Sequence, residues 1–413
     1  MVRSVGFLLC AALLAGIFLR LSFLSVDKRT PDEEYYLTYA REIAAHGPAS
    51  TVNLVDAYRT DKSNWVYPPP TRIGYTFSLA GFMKLFGSAD DRAGVYLSVF
   101  FSVLSALILT LIGFRFSNPW ATVAAVFFFS LSPMDLAIAR RVFADNLLTF
   151  FGALLLYLTL EICKKSSRTL IFLFCLAGAY ASLVKELGFF AFALCAAWLF
   201  FFLFVEQKKR EEGIFLVFSF ALAAAAAVFS LKWFAGDISA VAKLLVGVGD
   251  SVTLNTYAAQ NQNGNWMNFL SGFWYLSPLT LVLVLLGIAG AFVKKDKVMI
   301  GIFSWIVCWV LVLVVPPYMK NIRYFSPCYA AYCLMAGWGF WLMVSFIQSK
   351  LKTDLLKKCV AFFLVLIVII SSLADFYNFQ QLFIKTKIQD LTDQNIRNHS
   401  IYSKKLGGEI KKS

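Results

Sequence analysis

Histidine is nearly absent from this sequence: His46 and His399 are the two it has. A histidine-rich metal site is excluded by that count. Charge is scarce too. Asp, Glu, Lys and Arg make up 15% of the 413 residues, too little for the surface of a soluble protein. The eight cysteines (Cys10, Cys163, Cys175, Cys195, Cys308, Cys328, Cys333 and Cys359) lie almost all in apolar runs, and none forms a C-x-x-C pair. They read as small hydrophobes, not as a disulfide framework or a zinc site. Neither a P-loop nor a G-x-G-x-x-G stretch occurs, so no nucleotide-phosphate loop is offered.

What is present in excess is apolar. Hydrophobic residues are 59% of the chain, Phe alone numbers 42, and the mean hydropathy is +0.70. This composition predicts an all-α polytopic membrane protein. The net charge of +14 resembles that of a nucleic-acid binder. Most of the Lys and Arg, however, fall in short connections between apolar runs, where they set membrane orientation, and no nucleic-acid partner is expected.

A helix needs about 20 apolar residues to cross a bilayer. Runs of that kind cover roughly 5–26, 93–114, 119–138, 146–163, 169–184, 187–205, 213–234, 275–293, 298–316, 327–348 and 359–377. The first is read as an uncleaved transmembrane helix, since no small-residue cleavage site follows it. The segment 73–87 (IGYTFSLAGFMKLFG) is short and carries Lys84. If it lies along the membrane, Arg3 and the clusters at Arg115, Lys164–Arg168, Lys208–Arg210, Lys294–Lys297 and Lys350–Lys358 share one face, as expected for the cytoplasmic side. About 11 spans and an inner N-terminus follow, with a juxtamembrane helical first outer loop. The basic tail after residue 377 then falls outside, against the pattern. The expected division is a transmembrane domain over 1–377, with outer loops 27–72 and 235–274, and a short tail over 378–413. The stretch 255–268 (NTYAAQNQNGNWMN) reads as a polar loop.

The outer face receives the polar motifs. Thr30-Pro31-Asp32-Glu33-Glu34-Tyr35-Tyr36 follows the first span. Thr30 and Glu33 make a capping box with Pro31 at the first helical position, and acids there suit the helix dipole. A helix start alone accounts for those residues. It does not require Asp32, which shares a helix face with Tyr36 and could take a proton from a hydroxyl. Trp65-Val66-Tyr67-Pro68-Pro69-Pro70-Thr71-Arg72 is a rigid loop end, or holds Tyr67 and Arg72 at the lip of a cavity. Arg140 and Arg141 break the positive-inside pattern. They either pair with Asp145 or bind an anion. Lys185-Glu186 sits between two apolar runs, as an ion pair in a turn or as part of a site. Lys320, Arg323 and Tyr324 precede a late span. With Lys185 and the two arginines, these cations could hold a phosphate.

These motifs stand in an order that resembles the polyprenyl-phosphate-sugar-dependent glycosyltransferases of the type C membrane fold. The likeness is greatest to the branch of protein O-mannosyltransferases and lipid A aminoarabinose transferases, and it covers about residues 1–345. It rests on D-E-x-x-Y after the first span, an aromatic-Pro-Pro turn, an apolar segment ending K-L-F-G, R-x-x-x-x-D-x-L-L, a K-E turn and R-Y-x-x-P. The resemblance implies a catalytic pair, Asp32 as general base and Glu33 as second acid. It implies a donor-phosphate site with Lys185 and Arg323, to which Arg140 and Arg141 are added. It implies an acid near the donor, Asp145, and the motifs themselves add Tyr35, Tyr36, Tyr67, Arg72, Glu186 and Tyr324 to an expected substrate site. Tyr67 stands where many members have His or Lys before the prolines. A divalent metal of the Mg or Mn type would have to be held by Asp32, Glu33 and Asp145.

The function this implies is transfer of a sugar from a polyprenyl-phosphate donor to a lipid, glycan or protein acceptor, with inversion. The place is the outer, periplasmic face of a cell (inner) membrane. The competing class is a polytopic transporter or flippase of a lipid-linked saccharide. Transporters keep ionisable residues near mid-membrane, whereas here they collect in outer turns. A subunit that keeps the fold without activity is a third class, against which the retained Asp32 argues.

Overall fold

The computed structural model describes residues 2–24, 28–236, 262–315 and 320–406. Residues 255–261 of the expected polar loop, most of the loop 235–274, residues 316–319 and the end of the tail lie outside them. The described chain is helical, and its one ladder contact is an isolated antiparallel bridge between Asn321 and Thr392.

In chain order the helices are α1 (Val2–Ser22), α2 (Pro31–His46), α3 (Thr51–Thr60), α4 (Ile73–Phe86), α5 (Asp91–Phe116), α6 (Pro119–Ser130), α7 (Pro133–Ala139), α8 (Asp145–Lys165) and α9 (Arg168–Val184). Then follow α10 (Glu186–Phe201), α11 (Arg210–Ala235), α12 (Met267–Leu276), α13 (Pro278–Lys294), α14 (Lys297–Val314), α15 (Tyr329–Lys350), α16 (Asp354–Phe379), α17 (Asp393–His399) and α18 (Ile401–Leu406). Among the described residues eight helices are long and apolar enough to cross a membrane, and the bent pair α6–α7 makes up to nine. The apolar helices α9 and α13, each 17 residues long, fall on two further expected spans. Segment 73–87 forms α4, which has 14 residues and is not among the candidate spans. At 1.5 Å per residue it reaches about 21 Å, short of the hydrocarbon thickness.

One expected span is not continuous. The run 119–138 breaks at Leu131–Ser132 and bends by 51°. Pro133 has no N–H to continue the helix, and Ser132 before it is extended (φ −60°, ψ 124°). The break leaves helix carbonyls open inside the bundle. Arg20 of α1 fills it, donating to the carbonyls of Phe129 and Ser130 and pairing with Asp135. Ser102 adds its hydroxyl to the same carboxylate. All the charge in this buried knot is spent on closing a helix break.

Helix α15 runs through the centre, and every residue from Tyr329 to Phe340 is buried. Its neighbours approach at backbone contact. A Cβ on Gly337 would lie 2.2 Å from the Ala121 carbonyl oxygen, and one on Gly339 2.0 Å from that of Leu283. Small residues allow such close helix packing where lipid supplies no hydrophobic drive.

The two ends of the bundle differ. At one end the basic connections meet acids, the buried Glu161 with Arg115 and the exposed Glu211 and Glu206 with Arg168 and Lys297. The other end gathers α2 and the starts of α4, α5, α8, α10 and the 3-10 turn Ile322–Cys328. The chain after α16 folds back over this same end, where Thr392 meets Asn321.

Candidate active site

Helix α2 begins as its sequence dictates. The Glu33 amide donates to Thr30 Oγ1, and the Thr30 amide donates to Glu33 Oε2 at 2.8 Å. Pro31 occupies the first turn, where a missing N–H costs nothing. The Glu33 carboxylate then does more than cap. It is fully buried and accepts from Arg141 (2.7 Å), from the Val142 amide (2.9 Å) and from Arg29 (3.1 Å). Burial pushes this carboxyl up. The Arg141 guanidinium, the Thr30 and Val142 amides and Arg29 outweigh that and hold it below the usual carboxylate range. Glu33 ties the helix start to the turn after α7, and Arg29 carries the tie on to Asp91 (2.6 Å).

Asp32 points elsewhere. Its side chain is 30% exposed and meets Arg323 Nη2 at 3.1 Å. The Arg323 guanidinium lies over the rings of Phe143 (4.8 Å) and Tyr324 (5.3 Å). Its Nε finds no hydrogen-bond partner among the described residues. Lys185 Nζ sits over the same Tyr324 ring (4.7 Å) and pairs with Asp145 (2.9 Å). One tyrosine thus gathers two cations, each with its own carboxylate.

The loop end before α4 closes a third side. Arg72 donates to both oxygens of Glu186 (3.1 and 2.8 Å) and to the Tyr36 hydroxyl (2.5 Å). Burial pushes the Tyr36 phenol up, and the Asp32 charge adds to this against the pull of Arg72. Tyr35 stacks on Tyr67 at 4.6 Å, and Tyr39 donates to the Pro68 carbonyl. The prolines hold this aromatic wall against α2.

The structure therefore brings together Asp32, Tyr36, Arg72, Asp145, Lys185, Glu186, Arg323 and Tyr324. It places Arg140 and Arg141 apart from them. Both line a separate cavity of about 290 Å³ with Lys28, Lys387, Phe23 and Phe383. Arg141 reaches it from the far side of Glu33, and Arg140 donates to the Phe383 carbonyl. Lys320 donates to the Leu313 and Val314 carbonyls at the end of α14, and burial pushes its amine down. Asp32, Glu33 and Asp145 do not converge. Among the described residues no three His, Cys, Asp or Glu side chains form a group that could hold a metal.

The family model described as dolichyl-phosphate-mannose-protein mannosyltransferase matches residues 69–233. That stretch begins after the acidic motif and includes Arg72, Asp145 and Lys185. No match was found among curated protein sequences. The oligosaccharyltransferase of Archaeoglobus fulgidus in its apo form superposes with a TM-score of 0.60 at 12% identity, over 90% of this chain and 55% of that one. EmbB, an arabinosyltransferase of Mycobacterium smegmatis, gives 0.56 at 14% identity, over 94% of this chain and 38% of that one. ArnT of Cupriavidus metallidurans, apo, gives 0.52 at 15% identity, over 96% and 74%.

This is the type C glycosyltransferase fold.

The chain spans about half the length of the archaeal enzyme that it matches. Within the type C fold, several site residues carried no sequence signal. Arg29 is one more cation in a polar loop, and Phe143 one more Phe among 42. Their roles appear only when Arg29 meets Glu33 and Phe143 meets Arg323. Asn146, beside Asp145, is fully buried, and neither polar atom of its side chain finds a partner among the described residues. A lone amide at a helix start has no pattern that would have marked it.

Proposed function

We propose that this protein is a membrane glycosyltransferase that moves a sugar from a polyprenyl-phosphate donor to an acceptor on the outer face of the membrane. The observation that carries this reading is the pairing of Asp32 with Arg323, and the sharing of Tyr324 by Arg323 and Lys185. A half-exposed carboxylate and two cations held on one aromatic ring are what a displacement at an anomeric carbon needs. ArnT has been solved with undecaprenyl phosphate bound, and the archaeal enzyme with a dolichol phosphate and a peptide. Their likeness supports a lipid-phosphate donor.

In the proposed reaction the acceptor hydroxyl or amine approaches the anomeric carbon, and Asp32 takes its proton. The bond from that carbon to the phosphate oxygen breaks, and its electron pair leaves with the polyprenyl phosphate. Arg323 and Lys185 stabilise the charge on the departing phosphate, already in place before reaction. The Arg323 Nε–H is free to donate to it. A single displacement inverts the anomeric centre. Glu33 acts on Asp32 as a positioning residue, by fixing the helix start that presents it. The Tyr35–Tyr67 wall and the Arg72–Glu186 pair border the sugar.

The test is release of polyprenyl phosphate by the purified protein from a panel of polyprenyl-phosphate sugars, with candidate acceptors and with or without divalent metal. Release from one preferred donor supports the reading and names the sugar. No release from any donor overturns it in favour of a transporter of a lipid-linked saccharide.

A further inference from the structure

The chain after α16 does not trail away from the site. It returns and is fixed at two places. At the first, the Ile322 amide donates to the Leu391 carbonyl (2.9 Å), Asn321 and Thr392 form an antiparallel bridge, and Ser271 donates to Asp393 (2.5 Å). At the second, Ser400 donates to the Tyr275 carbonyl (2.7 Å), Asn378 Oδ1 accepts from the Ile401 amide (3.1 Å), and Tyr402 donates to Asp375 (2.5 Å).

The first attachment falls on the turn that carries Arg323. That turn is a 3-10 segment with Pro327 inside it, so it lacks the i→i−4 ladder that makes an α-helix rigid. Its conformation must be held from outside. Asn321 is fully buried and faces both ways. Its Oδ1 accepts from the Arg323 amide (3.1 Å), and its Nδ2 donates to Asp390 (3.4 Å). Asp390 also acts electrostatically on Arg323, along with Asp32 and Asp145.

We propose that the returning segment 386–393 is a strap that sets the Arg323 turn, with Asn321 and Asp390 as positioning residues for the transfer reaction. The line runs from Asp390 through Asn321 to the Arg323 backbone, and from its guanidinium to Asp32. The inference rests on the transferase reading above and extends it. The segment 386–393, far from any motif, decides where the phosphate-binding cation stands.

The test uses the full-length protein in detergent, once the wild type is shown to release polyprenyl phosphate. The variants are Asn321→Ala, Asp390→Ala and Asp390→Glu. Loss of one buried hydrogen bond is worth about threefold to tenfold in a rate or affinity, so kcat/KM for the donor should fall by at least that much in Asn321→Ala and Asp390→Ala. The acceptor KM should stay unchanged, and Asp390→Glu should recover most of the loss. Wild-type donor kinetics in both variants would overturn the strap. So would a loss shared equally by donor and acceptor that follows a lower Tm, which is what a merely structural contact gives. A wild type inactive on every donor sinks the transferase reading itself, and the proposed role with it. Hydrogen exchange at the Ile322 and Arg323 amides then still reads the strap: slow in the wild type and fast in Asn321→Ala if it holds, and alike in both if it does not.

Discussion

The Arg323 guanidinium meets the Asp32 carboxylate at 3.1 Å across 291 residues of sequence. The pair joins the first polar segment of the chain to the turn before its central helix. Asp32 is partly open to solvent whereas Arg323 is buried, so the pair parts at low cost only where another anion takes the carboxylate's place. In the proposed reaction an incoming phosphate takes the cation, which leaves Asp32 unengaged beside the acceptor. The buried pairs around it, Lys185 with Asp145 and Arg141 with Glu33, have no such freedom.

Replacing Asp32 with Asn separates chemistry from folding. The side chain keeps its size, and among the described residues the group it bonds is Arg323. A positioned base contributes about 10²–10⁴-fold, so release of polyprenyl phosphate should fall by at least about 10² while Tm stays near the wild type. The measurement is a release assay beside a thermal melt. Equal release by both proteins removes Asp32 from the centre of the reaction.

Glu33, one residue on, should behave in the opposite way. Glu33→Gln leaves Arg141 and Arg29 without their buried charge partner. Breaking a buried pair on one side costs about 3–5 kcal/mol, so Tm should drop by several degrees before any effect on chemistry is considered. The pH dependence has a definite sign. The folded carboxyl titrates below its ordinary value of 4.5. Its contribution is therefore fully present above that value and is lost as pH falls through the folded value. The wild type should melt earlier with each step from about pH 5 to 3, and Glu33→Gln should show a shallower slope. A parallel slope in both proteins would assign the acid sensitivity to other carboxylates.

The contrast between these neighbours shows what the sequence made legible. The capping box and the acidic motif were readable because their signal is local, within one turn of helix. The apolar runs located the helices for the same reason. Partners were not readable. Nothing in the chain tells that Glu33 will meet Arg141 or that Arg323 will lie between Phe143 and Tyr324, since each contact joins segments far apart in sequence. Arg140, Arg141 and Lys185 are all cations in turns on one side, which in sequence makes them look like one group, yet packing puts the arginines in another cavity. The break at Ser132 was signalled by Pro133, but the apolar run continued through it, and hydropathy alone counts one span there.

Arg323 and Lys185 should not be interchangeable with each other's residue type. The planar guanidinium of Arg323 lies over two rings and still donates to Asp32, a geometry an ammonium cannot copy. Arg323→Lys should therefore lose donor kcat/KM by about tenfold, the size of a charge-assisted contact. Lys185 is a point charge over one ring, and Lys185→Arg should retain more activity than Arg323→Lys. Steady-state kinetics with the donor varied at saturating acceptor would check the order. The reverse order would place the phosphate nearer Lys185 than Arg323.

The Arg20 knot supplies a control far from the chemistry. Arg20 donates to Phe129, Ser130 and Gly16 carbonyls and pairs with Asp135, so no donor is left over for a substrate. Arg20→Met keeps an unbranched stem but strands a buried carboxylate and opens the carbonyls at the α6–α7 break. The expected cost is about 3–5 kcal/mol, seen as a lower Tm and reduced yield. The double variant Arg20→Met with Asp135→Asn removes the stranded charge and should recover part of the loss, a coupling that a double-mutant cycle reads directly. Protein that survives either change should keep the wild-type donor KM. A raised donor KM at full thermal stability would instead tie this knot to the site, and would reopen the transporter reading, in which a buried ion pair among the spans takes part in function.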